Sequence, residues 1–169
     1  MTGSSSIHDF LREARVPYTV VPHRVAWTAQ DEAAATHVPG RHWAKVVICY
    51  VDGEPIEAVL PAPFKVNLAR LLALAGGSEI RMAQEDELRK LYPDCEPGAM
   101  PPFGPLYRQA LFVDVALALE QEIVFNAGTH TEAIAMKWAD FARSARPIVG
   151  AFAEPSGDSV GVFRLSYRE

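Results

Sequence analysis

Val46-Val-Ile-Cys-Tyr-Val-Asp-Gly-Glu-Pro-Ile-Glu-Ala-Val-Leu60 decides the architecture of this chain. Residues 46–51 form an apolar run rich in β-branched side chains and read as a buried strand. Asp52-Gly53 follows, a pair that accepts the positive φ values of a two-residue hairpin turn. Residues 56–60 then return as the antiparallel partner. Helical periodicity lies on both sides of this hairpin, so the expected class is α/β, built on a mixed, largely antiparallel sheet.

Working outward confirms the alternation. Ile7, Phe10, Leu11 and Ala14 recur at helical spacing before Pro17, and residues 18–21 resemble a short strand. Thr28 and Asp31 make a capping-box-like start to a helix over 29–36, which Val38-Pro39-Gly40 closes. On the other side, Asn67 caps a helix over 68–75 that Gly76-Gly77 ends. Residues 79–82 read as a strand and 84–92 as a helix with an acidic first turn. Apolar strands are expected at 110–113, 123–125 and 131–136, with a short turn or helix at 115–119 and a closing helix over 138–145. Residues 154–159 read as a spacer and 160–167 as a peripheral strand.

Composition bounds the function. A chain of 169 residues fits one domain with a full core, and 49% hydrophobic with 22% charged residues is ordinary for a soluble protein. A net charge of -5 argues against a broad basic face laid on duplex DNA, yet leaves room for contact with one nucleic-acid end. Cys49 and Cys95 are too few for a disulfide framework and match no zinc spacing. A reducing cytoplasm is therefore expected. The first residues lack the basic and apolar regions of a signal peptide, and no apolar run nears the roughly 18 residues of a membrane span.

Three features carry candidate chemistry. Cys95-Glu-Pro-Gly-Ala-Met-Pro-Pro-Phe-Gly104 holds three prolines and two glycines, so it forms a stiff loop suited to gripping a small polar group with backbone atoms. It equally suits a tight connection. Lys45 opens the central strand, either as a solvated strand end or as a charge aimed into a cleft. Asn126-Ala-Gly-Thr-His-Thr-Glu132 follows an apolar strand. There Gly128 allows close approach to the backbone, and His130 either serves a pocket or caps a turn. A Cys–His thiol hydrolase using Cys95 or Cys49 with His130 is a weaker reading, and a metal held by His37, His42 and Cys49 weaker still.

Lys45, the loop at 97–104 and Ala127-Gly128-Thr129 occur in an order that resembles the YbaK-type aminoacyl-tRNA deacylases, which include the editing domain of bacterial prolyl-tRNA synthetases. The likeness runs over about residues 7–152, taking in Pro17-Tyr18, His23, Val59-Leu-Pro-Ala62 and Ile80-Arg-Met-Ala83, and leaves 153–169 as a C-terminal extension. The resemblance implies a barrel-like sheet flanked by helices, and a freestanding hydrolase of mischarged tRNA with no metal or other cofactor. It places Lys45 near the acceptor end, with Gly98, Ala99, Met100 and Pro101 beside the ester, continued by Pro102 and Phe103. Arg41 and His42, which with Lys45 make a dense basic group, are expected to flank the acceptor-end phosphates. Gly128, Thr129 and His130 form the opposite wall. Partners implied are the aminoacyl-tRNA acceptor end and a synthetase. A non-catalytic module binding a tRNA end or nucleotide is the alternative. Two departures bear on substrate: Val46 stands where the alanine-specific branch has Asn, and Thr129-His-Thr-Glu132 replaces a glycine-rich segment. Small amino acids on tRNA(Pro) are the expected cargo.

Overall fold

The computed structural model describes residues 3–26 and 28–156. Along the chain run α1 (Gly3–Glu13), β1 (Thr19–Pro22), α2 (Ala29–Thr36), β2 (Ala44–Val51), β3 (Glu54–Pro61), β4 (Phe64–Val66), α3 (Leu68–Ala75), β5 (Ile80–Met82) and α4 (Glu85–Leu91). Then come β6 (Ala110–Asp114), α5 (Val115–Ala118), β7 (Glu122–Asn126), β8 (Glu132–Lys137), α6 (Trp138–Ala145), β9 (Ile148–Gly150) and β10 (Ala153–Pro155). The central hairpin forms in the expected register, Val46 opposite Val59. Asp52 and Gly53 hold φ of 50° and 84°, the two positive values that its tight turn demands. The Asp52 carboxylate also accepts the Ser78 and Glu79 amides, which ties the turn to the start of β5.

Three sheets result. A five-stranded sheet has the order β5-β2-β3-β6-β9, antiparallel across β5-β2-β3 and parallel across β3-β6-β9. An antiparallel sheet β1-β8-β7 and a pair β10-β4 complete the set. Trp43 forms a parallel bridge to Val124, joining the first two sheets at one point. Neither sheet closes, so the barrel-like expectation gives way to two open sheets facing across a shared core. Leu111, Val113, Ile123, Phe125, Ile134 and Phe141 fill that core. A second core lies on the far face of the larger sheet, where Cys49, Ala58 and Leu60 meet Leu71. With both faces covered, the central strands are apolar on both sides, which is why 46–51 shows no alternation.

Differences from the expected elements lie at the edges. β4 and β9 have no sequence signature, and Ala153–Pro155, read in part as spacer, forms β10 against β4. Asp114 makes this possible by accepting the Phe152 and Ala153 amides. The strand expected at 160–167 lies outside the described residues. Beneath the loop, Glu57 of β3 is 0% exposed. The Tyr92 hydroxyl lies 2.7 Å from both a Glu57 oxygen and the Gln109 amide oxygen. Burial pushes Glu57 up to about 8. At neutral pH the acid therefore donates to Tyr92, whose own proton goes to Gln109.

Candidate active site

The proline-glycine loop leaves α4 and is fixed by its apolar residues. Met100 is buried against Ile48 and Tyr92. Phe103 packs its ring on Phe10, Phe125 and Phe141, with centroids 5.5, 5.7 and 5.4 Å away. Ala99, Pro101 and Pro102 are buried as well, while Gly98 is exposed. Phe103 is thus the loop's anchor in the core, and Gly98 its presented crest. At Gly98 φ is +86°, a region where a side chain strains the backbone, and an added Cβ would face the His130 ring at 3.6 Å.

The β7–β8 turn meets this loop directly. Glu96 donates its amide to the Gly128 carbonyl, and the Gly128 amide donates to the Ala99 carbonyl, each at 2.9 Å. The His130 amide donates to the Glu96 carboxylate at 2.9 Å. His130 Nε2 lies 2.9 Å from the Pro97 carbonyl. The two segments singled out separately in the sequence are therefore one surface, clasped through main-chain atoms. Thr129 sits half-buried at its edge, its hydroxyl 3.4 Å from that of Thr131.

His130 itself is buried at 2% exposure. Its Nδ1 lies 2.8 Å from Glu32 Oε1, and Asn126 Nδ2 donates to Glu32 Oε2 at 2.9 Å. A carbonyl can only accept, so Nε2 carries a hydrogen. Burial raises Glu32 above the usual carboxylate range, against the hydrogen bonds from His130 and Asn126. Burial alone would lower His130, but the Pro97 carbonyl and Glu32 outweigh it and hold the imidazole above its ordinary value. Sequence reading missed Glu32, and it gave Asn126 no role although that residue opens the segment quoted above. A glutamate early in a helix reads as a solvated dipole partner, and an asparagine at a strand end reads as a turn residue.

The cationic residues make contacts of their own. Lys45 Nζ donates to the Ala62 carbonyl at 3.2 Å, and burial lowers its pKa. Arg41 and His42 both face Glu120, at 3.7 and 3.0 Å, with the Arg41 side chain 67% exposed. The cysteines do not form a thiolate site. Burial pushes Cys95 up to about 12 and Cys49 to about 11, and the ring nitrogens of His130 face Glu32 and Pro97 rather than sulfur. Among the described residues no group of three His, Cys, Asp or Glu is placed to hold a metal ion. No described helix is long and apolar enough to cross a membrane.

Residues 23–144 match the family model of the aminoacyl-tRNA editing domain. The chain is 33% identical over 142 residues to the multifunctional Ser/Thr-tRNA deacylase ProXp-y of Escherichia coli (strain K12), covering 81% of this chain and 84% of that protein. Hypothetical protein APE2540 shares the fold with a TM-score of 0.79 at 18% identity, over 88% of this chain and 99% of that one. A structure described as a candidate trans-editing enzyme for prolyl tRNA synthetase gives 0.78 at 18% identity, over 91% and 98%. By its family match and its identity to a deacylase, this chain belongs to the aminoacyl-tRNA editing domain family, and it is an aminoacyl-tRNA deacylase.

Proposed function

We propose that this deacylase acts in trans, as a freestanding cytoplasmic enzyme that hydrolyses the ester of tRNA mischarged with serine or threonine. tRNA(Pro) is the leading body, and a synthetase is the partner that releases the charged tRNA. The observation that carries this reading is the two-way backbone clasp between the loop at 96–99 and Gly128. It fixes two walls of main-chain groups without committing a side-chain nucleophile. An aminoacyl ester is already activated, so orienting water and stabilising a developing oxyanion can supply the rate. Gly98, Ala99, Met100 and Pro101 form the wall beside the ester, and Gly128 and Thr129 the facing one. The acyl preference for serine and threonine is taken from the E. coli relative's name. Lys45, a desolvated cation at the start of β2, attracts the acceptor-end phosphates, and Arg41 adds to this from the rim. Residues 7–152 make up the editing unit, with 153–169 peripheral to it.

The test is deacylation of tRNA(Pro) charged with Ala, Ser, Thr, Cys, 2-aminobutyrate or Pro, beside Ser- and Thr-charged tRNAs of other identity. Release of serine or threonine with proline spared is expected. In Lys45→Ala turnover should fall, and each of Lys45→Ala and Arg41→Ala should shallow the salt dependence by roughly one phosphate contact. Binding of charged tRNA without release of any amino acid would refute the catalytic reading.

A further inference from the structure

Glu32 holds a position its sequence context does not explain. A carboxylate near a helix N-terminus ordinarily faces water. This one is 1% exposed, and both oxygens are engaged, by His130 Nδ1 and Asn126 Nδ2. Burying a carboxylate is costly unless each lost water contact is replaced. The chain of contacts continues through the imidazole. His130 Nε2 donates to the Pro97 carbonyl, and the same peptide unit points its Gly98 N–H at Met100 Sδ, 3.2 Å away. Because a peptide unit is planar, these two contacts set the tilt of the Pro97–Gly98 plane.

We infer that Glu32 is a positioning residue of the deacylase: it holds His130 with its Nε2 hydrogen on the Pro97 carbonyl and so fixes the Pro97–Gly98 peptide. This rests on the reading of that loop as the wall beside the ester. A neutral imidazole has one hydrogen and two tautomers. With Nε2 committed to Pro97, the contact between Nδ1 and Glu32 requires one further proton, shared by the pair. When that proton leaves, two lone pairs face each other across 2.8 Å. His130 then moves its remaining hydrogen to Nδ1, and a bare Nε2 confronts the Pro97 oxygen. The brace fails and the peptide is released. Among the described residues, Glu96 bears on His130 from the loop, and His23 on Glu32 from the end of β1. A glutamine at position 32 can donate its amide hydrogen to Nδ1 and accept from Asn126, which keeps the Nε2 hydrogen in place with no shared proton to lose. A leucine can do neither.

The experiment uses the full chain, its Glu32→Gln and Glu32→Leu variants, and seryl- and threonyl-tRNA. Release is followed from mildly acidic to mildly alkaline pH with spontaneous hydrolysis subtracted, and the His130 ring nitrogens are read by 15N NMR. The wild type should lose kcat on the alkaline side. Glu32→Gln should be modestly slower at neutral pH and lack that alkaline fall. Glu32→Leu should lose kcat on the order of 10- to 100-fold, with KM within about twofold. The ring spectrum should show a hydrogen on Nε2 in the wild type at neutral pH and in Glu32→Gln throughout. Full kcat in Glu32→Leu, an unmoved alkaline fall in Glu32→Gln, or a hydrogen on Nδ1 alone at neutral pH would overturn the assignment. If Glu32→Leu does not fold, Glu32→Gln and the wild-type spectrum still decide it. Should the wild type release nothing from any charged tRNA, the catalytic reading fails, while the spectra still decide whether Glu32 sets the tautomer.

Discussion

Two glutamates are buried among the described residues, and their partners differ. Glu32 has a hydrogen-bonding partner on each oxygen, and one of them, His130, reaches the exposed crest of the loop. Glu57 has Tyr92 on one oxygen and nothing on the other, and it is kept as a neutral acid, its pKa raised to about 8. The first cluster crosses from helix to turn to loop and ends at a backbone carbonyl beside solvent. The second joins β3 to the residues flanking the loop and ends inside the protein. A buried acid with complete partners can transmit position outward; one with incomplete partners has been neutralised and serves as packing.

The sharpest way to break the first cluster is at its far end. Gly98→Ala forces a side chain into φ +86° and sets a Cβ 3.6 Å from the His130 ring. The strain is about 1–2 kcal/mol. Because the peptide beside it must tilt, deacylation should fall on the order of 10- to 100-fold, measured as kcat on seryl-tRNA. Full activity in this variant would detach the loop from catalysis.

The second cluster is probed by pH. Glu57 has a folded pKa near 8 against a reference of 4.5, so the native state binds the extra proton. Its contribution is present below pH 4.5 and is lost as pH rises towards about 8. Thermal melts should therefore show wild-type stability declining across that window relative to Glu57→Gln, by a few kcal/mol in order of magnitude. Activity at neutral pH should change little. Parallel melting curves for the two proteins would show that Glu57 is not held neutral.

The smallest effect belongs to neither cluster. Cutting the chain after Ala153 removes most of β10 and the Glu154 carboxylate, which accepts from Asn67 and pairs with Lys65 at the α3 end. Deacylation should stay within about twofold, and stability should fall by about 1 kcal/mol. A large loss of activity would place the C-terminal residues in the site and blur the contrast between the two acids.

The central hairpin, the helix caps at Thr28 and Asn67, and the loop with its facing glycine were legible because each is written in adjacent residues. β4, β9 and β10 were not. Three-residue strands such as Ile148–Gly150 exist because a neighbour's edge was open, and nothing local demands them. Glu32 was illegible for the same reason at greater range: its partners lie 94 and 98 residues away, and its chemistry is created by the meeting. Local patterns reveal which segments can form a wall; they do not reveal which side chain braces it from behind.

The clasp between Glu96, Ala99 and Gly128 is made of amide hydrogens and carbonyl oxygens, which all residues but proline supply alike. Such a joint is blind to side-chain identity. On the proposed reading of the site, a neighbouring side chain such as Thr129 can therefore be exchanged, and the acyl group admitted retuned, without dismantling the joint itself.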